Sequence, residues 1–232
     1  MIAELLPATV TAYDTFADAS GDVLFPEERA VVARAVDKRR REFTTVRDLA
    51  RTAMAELGIA PAPLLPDQRG APRWPSGLVG SMTHCDGYRA VAVARDTDVH
   101  AVGIDAEPNA PLPEGVLAAV TLPAERARIA GLLATHPGVA WDRLVFSIKE
   151  TIFKAWYPRT RYELDFAEAD VTPEADAPSG TSGTFGFALS LSREGPDPRW
   201  LSVVSGRWTA GEGVLVTALS VPRTTLPGQR RG

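Results

Sequence analysis

Between residues 37 and 57 apolar side chains recur every three or four positions: Phe43, Val46, Leu49, Ala50, Ala53, Met54 and Leu57. This spacing places them on one helix face. Asp37 stands at the expected N-cap, and Gly58 and Pro61 end the run. A shorter helix is predicted over 26–36, PEERAVVARAV, opened by a proline and two acids that suit the positive end of a helix dipole. Residues 1–25 carry no sustained pattern and read as extended chain, and 60–77 is rich in turn residues. Segments 78–84, 88–95 and 99–107 are dense in β-branched residues and spaced like neighbouring hairpin strands. Pro108, Pro111 and Pro113 then interrupt the pattern.

The second half repeats the layout. Helices are predicted over 124–135, after Pro123, and over 141–157, stopping before Pro158. A flexible loop is expected at 172–183, strands at 185–191, 200–208 and 213–221, and a disordered tail at 223–232. Helices followed by antiparallel strands, twice over, predict an α+β chain of two similar halves, 1–107 and 108–222.

Composition narrows the function classes. The 232 residues are 45% apolar and 23% charged, which suits a globular chain with a real core. A net charge of −4 argues against a general nucleic-acid coat. The single cysteine, Cys85, excludes an intrachain disulfide framework and a multi-cysteine zinc site. No apolar run approaches the ~18 residues of a membrane span. The first residues hold Glu4 and Asp14 and no basic stretch, unlike a signal peptide, so a cytoplasmic protein is expected. Of 25 basic residues only Lys38, Lys149 and Lys154 are lysines, and two of them fall within six positions.

The candidate chemistry follows from spacing. In VGIDAEP (102–108), Asp105 and Glu107 share one face of a strand. Paired carboxylates repel unless a cation lies between them, and few hard oxygen ligands suit Mg²⁺. In FSIKETIFKAWYP (146–158), Glu150 and Lys154 share a helix face with Lys149 one position round, among apolar residues that imply burial. Glu150 is a candidate third acid, and the lysines are candidate phosphate partners. Arg40, Arg47 and Arg51 fall on one face of the first long helix with Arg39 beside them, and guanidinium forks suit phosphates. Arg69 and Arg73 lie in a Gly/Pro-rich loop. GSMTHCDGY (80–88) offers Thr83, His84 and Cys85, but no G-x-S-x-G elbow. His84 and Cys85, as strand neighbours, point to opposite faces. A ligand with several phosphates, held with a divalent metal, suits this set.

GAPRWPSGLVGSMTH, then GIDAEP, then K-E-x-x-x-K occur here in the order of the two-domain, Sfp-type 4′-phosphopantetheinyl transferases, and the sequence resembles that family. KRRREFTTVR and LPAERA add to the likeness, which points to housekeeping bacterial members and extends from about residue 26 to 160. The resemblance implies a pseudo-duplicated monomer with mostly antiparallel sheets and coenzyme A in a cleft between the halves. It implies transfer of the phosphopantetheine arm to a serine of acyl or peptidyl carrier proteins, with Mg²⁺, or Mn²⁺ in its place, and release of 3′,5′-ADP. It assigns Asp105, Glu107 and Glu150 to the metal and Glu150 and Lys154 to catalysis. Arg39, Arg47, Arg69, Thr83, His84, Asp105, Lys149 and Lys154 are assigned to coenzyme A. No nucleic-acid or membrane partner is expected. Two rival readings stand beside it: a Mg²⁺-dependent coenzyme A phosphohydrolase using the same acids with water as nucleophile, and a non-catalytic coenzyme A or nucleotide sensor, which needs the phosphate-binding residues but not the third acid, Glu150.

Overall fold

The computed structural model describes residues 1–21, 23–176, 179–202 and 204–223. The first half contributes β1 (Thr11–Thr15), α1 (Pro26–Val32), α2 (Asp37–Glu56), β2 (Leu78–Cys85) and β3 (Tyr88–Arg95). Next come β4 (Val99–Pro108), α3 (Val116–Val120), α4 (Pro123–Thr135) and α5 (Trp141–Thr160). β5 (Ala169–Ala175), β6 (Ser182–Leu189), α6 (Arg199–Ser202), β7 (Gly206–Gly211) and β8 (Val214–Pro222) complete the chain.

Two antiparallel sheets form, one in the order β1-β3-β2 and one in the order β4-β8-β7-β6-β5. β2 and β3 make a tight hairpin across Asp86 and Gly87, where Gly87 takes the positive φ of 75° that such a turn requires. The strand at 99–107 does not continue that hairpin. It pairs with β8 from the far end of the chain and belongs to the second sheet.

α2 covers the first sheet, with Ala50, Ala53 and Met54 packed against Val91 and Val93. α5 lies on the second, burying Leu144, Ile148, Ile152 and Trp156 completely. Each such side chain contributes about 1.5–3 kcal/mol on leaving water. The chain closes close to α5 at Gly103, where a Cβ would stand 2.0 Å from the Thr151 carbonyl oxygen.

Several sequence expectations are corrected. Val36 is the N-cap of α2, and Asp37 is already helical and makes no cap hydrogen bond. α5 runs through Pro158 to Thr160, because a proline in the last turn costs the helix only one backbone bond before Arg161, at φ 56°, ends it. Residues 1–25 add β1 to the first sheet. Much of the expected loop at 172–183 is strand, with Thr172 opposite Gly186 and Pro173 opposite Phe185. Pro173 is tolerated because β5 is an edge strand. Of the strand expected at 200–208, Trp200 instead lies in the short α6, where its ring stacks on Trp156, 5.7 Å between centroids. The expected tail lies outside the described residues from 224 onward, as do 177 and 178 of the expected loop.

Candidate active site

The two sheets meet edge to edge, β2 of one beside β4 of the other. No ladder joins these edges. Instead Ser81 Oγ accepts from the Ile104 amide at 3.2 Å and Thr83 Oγ1 from the Ala106 amide at 3.1 Å. Side-chain hydroxyls thus satisfy β4 amides that a buried edge cannot leave unpaired.

Asp105 sits in this seam, 4% exposed. Its Oδ1 accepts from Lys154 Nζ at 2.6 Å and Thr83 Oγ1 at 3.1 Å, and its Oδ2 from Ser147 Oγ at 2.8 Å. Ser147, Glu150 and Lys154 lie at helical spacing on the α5 face toward β4. Glu107 accepts from Arg143 at 3.0 Å, and the same guanidinium holds the Ala110 and Pro111 carbonyls. Burial pushes the Glu107 carboxyl up, as does the Asp105 charge, against the pull of Arg143 and Lys154. Burial also raises Glu150, opposed by Lys154 and reinforced by Asp105. A cavity of about 230 Å³ adjoins Lys154 in the same seam, bounded by Pro72 and Trp74 on one side and Pro158 and Arg159 on the other.

On the opposite face of β2, His84 meets α2: its Nε2 faces the Arg39 guanidinium and lies 3.3 Å from Glu42. Burial, followed by the charges of Arg39, Lys154, Arg89 and Arg47, lowers His84 to about 4, so the ring is neutral at pH 7. Cys85 faces the acids, and burial together with the Glu107 and Asp105 charges pushes its thiol up to about 12. A thiol so protonated is no nucleophile.

Comparison with known proteins fits this arrangement. The family described as 4′-phosphopantetheinyl transferase N-terminal domain matches residues 27–94, and the 4′-phosphopantetheinyl transferase superfamily matches 101–212. The chain is 55% identical over 224 residues to 4′-phosphopantetheinyl transferase Svp of Streptomyces mobaraensis, covering 95% of this chain and 89% of that one. It is 44% identical to PptT of Mycobacterium tuberculosis (94% and 97% covered) and 43% identical to Npt of Nocardia iowensis (95% and 99%), both also named 4′-phosphopantetheinyl transferases. The chain belongs to the 4′-phosphopantetheinyl transferase superfamily. It is a transferase, and the two profiles meet between β3 and β4, where the chain passes from one sheet to the other.

In this transferase the structure gathers Thr83, Asp105, Glu150 and Lys154 at the seam and joins His84 to Arg39 beside it. It takes three other expected ligand contacts elsewhere. Lys149, two positions from Ser147 and so on another side of α5, is buried against Glu125 at 2.8 Å and the Phe166 carbonyl at 2.7 Å. Arg47 is 5% exposed and donates to the carbonyls of Leu64 (3.0 Å) and Phe43 (3.3 Å), near Glu28. Arg69 reaches across the surface to Glu163. The three acids are hard oxygen donors, and the Asp105 charge raises the carboxyls of both Glu107 and Glu150, the chemistry of a divalent-cation site. In this structure they stand apart, Glu107 drawn to Arg143 and Asp105 to Lys154. Among the described residues no three His, Cys, Asp or Glu side chains gather closely enough to hold an ion.

Sequence reasoning missed Ser147 and Arg143. Their signal was position: Ser147 precedes Glu150 by three residues and Arg143 by seven, close to one helix face.

Proposed function

We propose that this chain moves the 4′-phosphopantetheine arm of coenzyme A onto a serine of apo acyl or peptidyl carrier proteins, releasing 3′,5′-ADP. The observation that carries this reading is the seam itself, where a buried Asp105 is held by Thr83 from one half and by Ser147 and Lys154 from the other. Because both halves of one chain complete the site, a single copy is sufficient for the reaction. Its carriers are those of fatty-acid, polyketide and nonribosomal peptide assembly.

The chain's own groups divide the work. Arg39 and the N–H of a neutral His84 bind phosphates at the nucleotide end. Lys154 leaves Asp105 for the diphosphate and offsets the charge that builds there in the transition state. The attacking serine hydroxyl must lose a proton, and Glu150 is the proposed acceptor, a role supported by burial that raises its carboxyl. Asp105, Glu107 and Glu150 are the residues that would hold Mg²⁺, and a bound ion would further neutralise the diphosphate.

The test is direct. Protein, coenzyme A, Mg²⁺ and an apo carrier are incubated, and the carrier is weighed by intact mass spectrometry. A gain of one phosphopantetheine that EDTA abolishes is expected. Free 3′,5′-ADP over an unmodified carrier would instead mark a phosphohydrolase, and neither product a coenzyme A sensor.

A further inference from the structure

An ionised carboxylate only accepts hydrogen bonds, so a hydroxyl touching it points its single proton there. Ser147 Oγ, 2.8 Å from Asp105 Oδ2, is therefore a donor to Asp105 and can only accept from its other neighbour. That neighbour is Thr217 Oγ1 at 2.9 Å, on β8 directly opposite Asp105 in the strand register. Thr217 has two other acceptors within reach, Thr151 Oγ1 at 2.6 Å and the Ser147 carbonyl at 3.2 Å, but the 2.9 Å contact with Ser147 needs a proton between its two oxygens, and with the Ser147 proton on Asp105 only Thr217 can supply it. Once Thr217 donates to Ser147, Thr151 Oγ1 at 2.6 Å must donate to Thr217. Three fully buried hydroxyls thus form a chain of one polarity, from Thr151 through Thr217 and Ser147 to Asp105. Each bond in such a chain strengthens the next.

We propose that Thr217 is a positioning residue for Asp105, acting through Ser147. Serine and threonine in a helix otherwise turn back to the carbonyl four residues earlier. Thr217 removes that choice by filling the acceptor side of Ser147 and leaving its proton on Oδ2. The need arises on the other oxygen. Oδ1 is held by Lys154 and Thr83, and a phosphate ligand in the seam competes for Lys154. The hydroxyl chain is 0% exposed and out of any ligand's reach, so it holds the carboxylate throughout. This inference rests on the transferase reading of Asp105.

The test replaces Thr217 with valine, which keeps the shape and removes the hydroxyl, and with serine, which keeps the hydroxyl. Three quantities are read: kcat with an apo carrier, KM for coenzyme A, and Mn²⁺ affinity from the free-Mn²⁺ EPR signal with coenzyme A present. For Thr217→Val kcat should fall about fivefold and Mn²⁺ affinity about threefold, the scale of one hydrogen bond, with KM for coenzyme A within about twofold. Thr217→Ser should restore all three to within about twofold of wild type. A folded Thr217→Val with wild-type kcat and Mn²⁺ affinity overturns the proposal. So does a Thr217→Ser as impaired as the valine, because packing alone then accounts for the loss. Should the valine variant not fold, Ser147→Ala carries the same test, and wild-type kcat there is equally fatal. Failure of wild-type protein to modify any carrier sinks the transferase reading instead, while the Mn²⁺ measurement still judges the positioning.

Discussion

Gly103 sits two residues before Asp105, where β4 runs against α5, and its substitution by alanine tests how closely site and fold are joined. A Cβ there would lie 2.0 Å from the Thr151 carbonyl oxygen and 2.9 Å from the Ala155 amide nitrogen. Both are backbone atoms, so no rotamer change relieves the clash. Restoring a 3.4 Å contact needs roughly 1.4 Å of movement between strand and helix. Overpacking of this kind costs about 1–3 kcal/mol, and a backbone-on-backbone contact belongs at the upper end. At about 2–4 °C per kcal/mol for a chain of this size, the melting temperature should fall by about 6–12 °C. The same movement carries Ser147, Glu150 and Lys154 away from Asp105, and a misplacement near 1 Å lowers turnover by about a hundredfold. Gly186→Ala is the control, since nothing lies within 4 Å of its Cβ position. Scanning calorimetry and initial rates of carrier modification decide the matter. A Gly103→Ala protein that melts with the control and turns over normally would refute the close approach.

Lys149→Met should act on stability and not on ligand binding: it strands Glu125, 0% exposed, without its cation, a loss of about 3–5 kcal/mol, with KM for coenzyme A unchanged in the folded fraction. Urea titration and steady-state kinetics check this, and a raised KM with unchanged stability would return Lys149 to the phosphates. His84 is held at about 4 in the folded chain against an ordinary 6.5, so the unfolded chain takes up its proton first as the pH falls. Its contribution is complete above pH 6.5 and is lost on acidification toward pH 4, to a total of about 3 kcal/mol. His84→Gln should flatten that part of the stability–pH curve, and an unaltered slope would contradict the neutral assignment. Cys85, its thiol pushed up to about 12, should react with iodoacetamide at pH 8 far more slowly than a free peptide thiol; peptide mass mapping reads the rate.

Local pattern revealed most of the elements, and the two motifs revealed which of them meet. D-x-E on a strand and K-E-x-x-x-K on a helix named Asp105 and Lys154, which the fold then joins at 2.6 Å. What the pattern did not carry was long-range pairing. β4 reads as the third strand of a hairpin series because its neighbours in sequence are strands, yet its ladder partner begins more than a hundred residues later. The phase of α5 against α4 was equally invisible, and with it the fate of Lys149. The reason lies in a duplication too sparse to see in the letters. Pro26-Glu27-Glu28-Arg29 opens α1 and Pro123-Ala124-Glu125-Arg126 opens α4, in each case the helix just before the long one of that half. Each third residue, Glu28 or Glu125, is 0% exposed and accepts from the amide three residues back, that of Phe25 or Leu122. Each also accepts from a distant amide, that of Leu64 or Val171. Each then meets a cation from the following helix, Arg47 or Lys149, which donates onward to a carbonyl 17 residues later. Arg47 and Lys149 are thus counterparts, one in each half, tying a helix start to the segment behind it. A buried carboxylate demands such a partner, because an unpaired charge there costs more than the pair returns. With those two cations committed to the fold, the phosphate contacts of the proposed function fall to other positions on the same helices, Arg39 beside His84 and Lys154 on Asp105.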